Sequence, residues 1–471
     1  LYTMRRLMIT NNLDELMFTN IGDKLVRVFG VDTQKQRIDS VHIHSNMRKL
    51  GRVSIFARTI AKFLVNLKRH HRQLFDSLER KVIDPYLGKK AMAAFSLVKP
   101  SQASKTLKQV GADLFLLVEQ FKDHPSVGSM HSYKLMQRVL SDQCTVEPGD
   151  DGDCKVVVKK PADIASTSLQ NPSDPDATYD GHKGQGYKIQ IMETYSKHED
   201  PAEKEKQLNL ITHVAMQRAC ESDSNALVPA ITDARNRRQC PDELLGDTSY
   251  GSDDNHQAAQ TANVQLIAPV HKTNATNTSH LTGFAFNDDG YVIACPAGHK
   301  PNRVRHRKRT DRFSAAFSQQ HCQGCPHSGQ CKLRPGKDKF LLYYSGKQYR
   351  LAARRAYEQT EAFAEAYRWR AGVEATMSEF NRRTGVKKLR VRGMPAVRFA
   401  ARMKATGLNI LRAAAVRKAR RKARRTDTNG NTLIYNSFAV VKERIVAVMD
   451  NLGSVLTNNS RSAQDGLLMA A

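Results

Sequence analysis

Along most of the chain apolar residues recur every three or four positions. In a few short runs they alternate instead, so the pattern predicts helices interrupted by isolated strands. Residues 1–30 read as helical, with Asn12 placed to cap a run through Leu13, Leu16 and Met17, and a second helix carrying Ile21, Leu25 and Val28. Then the period changes. In residues 36–47, Ile38, Ser40, His42 and His44 alternate with Asp39, Val41 and Ile43, which argues for a strand. Asp is depleted in strands, so Asp39 either faces water or serves chemistry. Helical spacing returns over residues 54–143, in Ile55 to Leu67, Arg69 to Leu78 and Ser104 to Phe121.

From residue 146 to 175 the composition turns acidic and rich in Pro and Gly, which reads as a linker or surface loop. Residues 184–194 and 208–215 then read as an antiparallel pair of strands. Ser222 is placed to cap a helix through Leu227, Val228 and Ile231, and a short apolar strand from Glu243 ends at Asp247 in a Gly turn. A helix over 254–262 and a strand over 264–270 follow. The succession of three strands, helix, strand, helix, strand is that of a ribonuclease-H-like α/β core. Gly181, Gly184 and Gly186 lack the G-K-[ST] of a phosphate-binding loop, which excludes a P-loop nucleotide site.

The stretch from Tyr367 to Asn381 has no Pro and one Gly and reads as a single helix. Ala366, Trp369, Val373, Met377 and Phe380 form its apolar face, while Tyr367, Arg370, Glu374 and Asn381 share a narrow polar arc. Taken alone, that arc is a solvated Arg370–Glu374 pair at i,i+4. It also resembles the Y-x2-R-x3-E-x6-K signature of bacterial insertion-sequence transposases of the DDE type. Tyr367, Arg370 and Glu374 match it, and Asn381 stands where the family usually has Lys. The stretch around Asp39 is similar to the family's first strand, with Val41 where Thr is common. The stretch around Asp247 is similar to its second-Asp motif, and residues 382–393 to its basic L-R-V-R-G segment.

The resemblance implies an α/β fold with a ribonuclease-H-like mixed sheet flanked by helices, a helical insertion after the first strand and a small zinc-binding insertion before the last catalytic helix. It implies Asp39, Asp247 and Glu374 as the catalytic carboxylates, holding two Mg²⁺ (or Mn²⁺) ions for DNA cleavage and strand transfer. Tyr367, Arg370, Asn381, Arg382 and Arg383 would contact DNA. Asp180, and after it Asp174 and Asp176, are alternatives for the first carboxylate, and Glu379 is a lesser competitor for Glu374. A different class is a DNA-binding protein without catalysis, an inactive or domesticated transposase, and a third is a plain nuclease on the same fold.

Charge supports a polyanionic partner: 74 Lys and Arg against 46 Asp and Glu give +28 over 471 residues. No run approaches the ~18 apolar residues of a membrane span, and no signal segment opens the chain, so a cytoplasmic protein acting on nucleic acid is expected. The resemblance implies a nucleoid-associated one that takes double-stranded DNA and works as a homodimer, because two element ends must be handled together. Leu1 rather than Met comes first, and the resemblance implies a small helical DNA-binding region before it.

Four of the eight cysteines, Cys295, Cys322, Cys325 and Cys331, cluster in one basic region. They read as ligands of a structural Zn²⁺, with His299 and His321 as possible substitutes. The expected organisation is a helical region to residue 30, the Asp39 strand at 31–53, a helical insertion at 54–145 and a linker at 146–175. The ribonuclease-H-like core at 176–282 follows, then the zinc-binding insertion at 283–345, catalytic and C-terminal core helices at 346–415, and a basic tail at 416–471.

Overall fold

The computed structural model describes residues 2–88, 91–148, 154–271, 281–329, 331 and 333–427. The chain divides into two compact units, residues 1–416 and 417–471.

The first unit opens with helices α1 (Tyr2–Thr10) and α2 (Leu13–Phe29), then strand β1 (Lys35–His44). The successive helices α3 (Arg52–His70), α4 (Arg72–Asp76), α5 (Arg80–Leu87), α6 (Ala91–Ser96), α7 (Pro100–Gln120), α8 (Pro125–Gly128) and α9 (His131–Gln143) form the insertion after β1. Ile60, Phe63, Leu64 and Leu67 line one stripe of α3, and they bury against Leu114, Leu117, Tyr133 and Met136 in a core of its own.

The main sheet joins β1 to β4 (Thr178–Asp180), β5 (Gly184–Thr194), β6 (Ile211–Arg218), β7 (Glu243–Leu245) and β8 (Gln265–Ile267). β5 lies antiparallel between β1 and β6, with β4 on the same edge as β6. β7 runs parallel to β1 and β8 parallel to β7. The order β6–β5–β1–β7–β8 fits a ribonuclease-H-like fold in outline.

Alternation along β1 sorts the layers. Ile38 packs on one face with α11 (Leu227–Asn236) and α12 (Asp253–Thr261), through Leu227, Ile231 and Ala259. Val41 and Ile43 pack on the other face with Val373, Met377, Phe380 and Leu408. Asp39 has the parity of Val41, so it belongs to the second face.

Residues 146–175 differ from the expected linker. Cys144–Pro148 (β2) and Cys154–Val158 (β3) pair as a hairpin, and Asp174 is fully buried. Asp174 accepts hydrogen bonds from Ser45, Tyr187 and the Gly393 N–H, so its charge serves packing rather than solvation. Short helix α10 (Pro201–Lys206) separates β5 from β6.

The later insertion carries hairpin β9 (Ala285–Phe286) and β10 (Val292–Ala294) around Gly290, which takes φ 81°. A four-stranded antiparallel sheet follows, in the order β11 (Arg303–Arg307), β12 (Arg312–Ser318), β14 (Lys339–Ser345), β13 (Arg334–Pro335), with α13 (Gln319–Cys322) after β12. Ser345 and Gln348 form a capping box that starts α14 (Gly346–Glu358), and Thr360 caps α15 (Glu361–Tyr367).

The expected single helix from Tyr367 to Asn381 is broken. A 3-10 turn, Arg368–Ala371, separates α15 from α16 (Gly372–Thr384). Arg37 of β1 donates from Nη1 to the Trp369 carbonyl (2.8 Å), and a Cβ at Gly372 would collide with its guanidinium. A side chain from the sheet thus enters the helical ladder and interrupts it.

Helix α17 (Met394–Asp427) ends the first unit at Val416. In the second unit the basic block from Arg417, part of the tail expected from the sequence, is helical to Asp427. The sequence also suggests a helix over 438–452, which lies outside the described residues.

Candidate active site

β7 and β1 bring two carboxylates level. Arg37 of β1 registers with Leu245 of β7 in parallel pairing, where that pairing ends, and two residues further along each chain Asp39 and Asp247 are near enough for the charge of Asp247 to act on Asp39. Asp247 is fixed by its own turn: its Oδ1 accepts from the Ser249 N–H (2.8 Å) and caps the 3-10 turn Thr248–Tyr250. Asp39 Oδ1 accepts from the Ser40 N–H (2.7 Å).

The third carboxylate arrives through an arginine. Arg370 donates from Nη2 to Asp39 Oδ2 and from Nη1 to Glu374 Oε1, both at 2.9 Å. Arg370 and Asp39, 331 positions apart, thus pair directly, and the same side chain also holds Glu374. The Glu374 side chain is 70% exposed, whereas those of Asp39 and Arg370 are 14% and 19% exposed. The solvated i,i+4 pair does form, but its arginine is committed equally to the sheet.

Electrostatics here are unbalanced. Burial pushes the Asp39 carboxyl above its ordinary value; the Ser40 N–H and Arg370 oppose this, and the charges of Asp247 and Asp223 add to it. Burial also raises the Tyr367 hydroxyl, with Arg370 acting against it and Asp247 and Asp39 with it. Arg370 loses solvation by burial, yet Asp39, Tyr367, Asp247 and Glu374 more than compensate and hold its charge.

Asn381 is oriented differently from a phosphate contact. Its Oδ1 accepts from the Lys387 N–H (3.2 Å), closing the turn after α16. Arg383 pairs with Glu379 (2.8 Å), while Arg382 is exposed and makes no ion pair among the described residues. Glu379 is taken by Arg412 and Arg383 and does not face the carboxylates. Asp176 accepts from the Met394 N–H, and Asp180 accepts from the His182 and Lys183 N–H groups in the turn after β4. Neither they nor Asp174 join the Asp39 cluster.

Sequence reasoning missed Asp223, at the start of a 3-10 turn before α11, whose charge reaches Asp39. It also missed a buried network behind the site. Glu193 of β5 accepts from Arg37 (2.7 Å), Thr376 (2.8 Å) and Arg412 (3.2 Å), tying sheet, α16 and α17 together. Gln190 donates to Asp223 (2.6 Å) and accepts from Tyr250 (2.5 Å). The available signal was the run of polar residues, Lys188, Gln190 and Glu193, alternating with and following the apolar Tyr187, Ile189 and Ile191.

In the later insertion, Cys295, Cys322, Cys325 and Cys331 line one pocket with His299, His321 and His327. Two tight turns present the thiols. The Gly298 N–H donates to the Cys295 carbonyl (2.8 Å), the Cys325 N–H to the Cys322 carbonyl (3.4 Å), and Gly298 and Gly324 take φ of 82° and 77°. The His299 and His321 rings stack at 4.1 Å. Among the described residues, no three His, Cys, Asp or Glu side chains, here or at the carboxylates, are gathered closely enough to hold a metal ion.

Residues 294–414 match the family described as Transposase DDE domain. The matched segment contains all four clustered cysteines, Tyr367, Arg370 and Glu374, and leaves Asp39 and Asp247 outside it. The match supports a DDE transposase family for this chain. No curated protein and no solved structure matches it. No helix among the described residues is long and apolar enough to cross a membrane.

Proposed function

We propose that the chain is a DNA transposase that cuts and joins strands at the ends of an insertion sequence, with Asp39, Asp247 and Glu374 as its catalytic carboxylates. The observation that carries this is the double ion pair of Arg370, which joins β1 to α16 beside Asp247.

The donor set suits Mg²⁺ or Mn²⁺. Three carboxylates supply hard oxygen ligands, and the like-charge pressure on Asp39 from Asp247 and Asp223 is what a divalent cation would relieve. Such ions, when bound, activate a water or 3′-hydroxyl and stabilise the leaving oxygen of an in-line phosphoryl displacement. The chain's own residues do the positioning. Arg370 presents two Nη groups in a fork that suits a phosphate as well as it suits the two carboxylates. Tyr367, kept protonated, offers a hydroxyl donor beside it. Arg382 takes the place of the lysine that Asn381 lacks. Two element ends must be handled together, so the working species is a homodimer.

The cysteine pocket is proposed as a structural zinc site. Four thiols that line one pocket are the donor type and number that a structural zinc takes; binding would have to draw them together, and a site with four protein ligands would leave no position for catalysis.

Asp247→Ala and Glu374→Ala are expected to abolish Mg²⁺-dependent cleavage of element-end DNA while leaving binding intact, measured by gel cleavage and by anisotropy. Undiminished cleavage by either variant removes the mechanism. The second reading, a DNA-binding protein without catalysis, is favoured by the spread of the carboxylates, no three of which are gathered closely enough among the described residues to hold a metal ion. Wild-type chain that binds element ends but never cuts them with Mg²⁺ or Mn²⁺ would establish it.

A further inference from the structure

The register of the sheet β11–β12–β14–β13 separates two unlike faces. Phe313, Ala315, Phe317, Leu342 and Tyr344 turn inward and form the insertion's core, with Val304 packed on them. The opposite face carries Arg303, Arg305 and Arg307 on β11, Arg312 on β12, Lys339 on β14 and Arg334 on β13, and all six are exposed. No position of this face is Asp or Glu. None of the six makes an ion pair among the described residues. Asp311, in the turn between β11 and β12, pairs with His306 and Arg350 instead.

Between the cations the floor is low. Ser314, Ala316 and Ser318 are small, so the β12 part of the face is low, while Leu341 and Tyr343 of β14 stand on the same face beside it. Tyr343 stands out at 49% exposure, and the Arg334 guanidinium lies 5.6 Å over its ring. Solvated surfaces usually intersperse both signs. Here one sign holds the whole face.

Charge points to a polyanion, and the spacing suits a nucleic-acid strand. Alternate residues on a strand stand about 6.8 Å apart, on the order of the distance between successive phosphates along one winding backbone. β11 is the sheet's edge strand, so its arginine row can lie against a groove wall rather than be shielded by a neighbour. Guanidinium groups in such a row can each fork onto a phosphate.

We infer that this face is a docking platform for the sugar–phosphate backbone of duplex DNA, built on elements other than those of the carboxylate cluster. It shares with the proposed activity the expectation that DNA is the partner, and it requires no cleavage. The contacts are to backbone, so binding through this face is insensitive to sequence.

The test is anisotropy of the full chain on a labelled duplex, in chelator, over a series of salt concentrations. Arg303→Ala/Arg305→Ala/Arg307→Ala is expected to make the salt slope shallower by about 2.7, at about 0.9 per lost phosphate contact, and to weaken binding on the order of 10- to 100-fold. The triple Lys variant is expected to recover most of the loss, since it restores charge without the fork. Equal melting temperatures for the Ala and Lys variants are expected, because the side chains are exposed.

Unchanged affinity and slope in the Ala variant would overturn the platform, as would tighter competition by duplex RNA of equal length. Wild-type cleavage alongside an unaffected Ala variant removes this surface and leaves the activity. Binding that depends on the arginine row in a chain that never cleaves does the reverse.

Discussion

Arg37 reaches across from the sheet to the carbonyl of Trp369, and it fits there because residue 372 is glycine. The relationship couples the Asp39 strand to the helix of Glu374 at the one place where that helix is interrupted. Gly372→Ala would improve helix propensity by about 1 kcal/mol in isolation, but the new Cβ collides with the Arg37 guanidinium. The variant is therefore expected to be destabilised by roughly 1–3 kcal/mol, as overpacking usually is, and to cleave DNA more slowly. Chemical denaturation measures the first and a gel cleavage assay the second; a more stable variant would show that propensity outweighs the packing.

The Glu193 network makes a harder demand. Glu193 is completely buried, and Arg37, Arg412 and Thr376 satisfy it. Arg412→Ala removes one of its two arginine partners and also strips Glu379 of its buried cation. Breaking such a pair from one side costs about 3–5 kcal/mol. Denaturation midpoints should report a loss of that order, with Glu193→Gln/Arg412→Met milder than Arg412→Ala. Equal losses would mean that neither the arginine's packing nor the unpaired Glu193 charge sets the cost, leaving the hydrogen bonds that both variants lose.

How much of this was legible in the sequence follows from the range of each signal. β1 and β5 were readable because alternation is local, and the same local signals single out Asp39, Asp247 and the polar arc of Tyr367, Arg370 and Glu374, of which the structure joins Asp39, Arg370 and Glu374 by ion pairs. The break in that helix was not, because its cause is Arg37, far away in sequence. The role of Asp174 was hidden for the same reason: an acidic, Pro-rich stretch reads as solvated until Tyr187, Ser45 and Gly393 are known to meet it. Asp223 lies near Asp39 only once β5 and β6 are folded beside β1. Local spacing predicts elements and one-sided stripes, whereas a neighbour delivered by topology leaves only polar residues, such as Gln190 and Glu193, whose burial their own spacing does not announce.

Zinc should be detectable without any activity. Protein purified from zinc-supplemented cells is expected to carry about one zinc per chain, by the four-thiolate stoichiometry of a structural site. Cys322→Ser should lower that content and the melting temperature together, whereas Cys154→Ser, at an exposed position outside the pocket, should change neither. Elemental analysis with a chelator-challenged melt checks this, and wild-type protein free of zinc would remove the assignment.

Acid sensitivity has a defined window. Burial lowers His42 to about 4, with His44 assisting, while Asp180 pulls the other way. Burial lowers His256 to about 4 as well, with Arg354 assisting and Asp253 opposing. Both folded values lie below the unfolded value of about 6.5, so the unfolded chain binds more protons between the two. The stability held with both rings neutral is complete above about pH 6.5 and is lost as pH falls toward about 4. Denaturation midpoints should drop through that window, and less steeply in His42→Gln/His256→Gln. An unchanged slope in the double variant would assign the acid loss to other groups.

Arg370→Lys separates charge from geometry at the candidate active site. Lysine keeps the cation but has no fork, so it cannot hold Asp39 and Glu374 at once as Arg370 does at 2.9 Å to each. If Arg370 only neutralises the carboxylates, the variant should cleave nearly as well as wild type, because the charge remains. If it also orients a phosphate, cleavage should fall by about 10- to 100-fold, the scale of a lost charge-assisted contact, with affinity for uncut DNA barely altered. The second result is expected, since the guanidinium is held by four groups that all favour its charge against burial. Single-turnover cleavage measured beside anisotropy distinguishes them, and parallel losses in binding and cleavage would confine Arg370 to holding DNA.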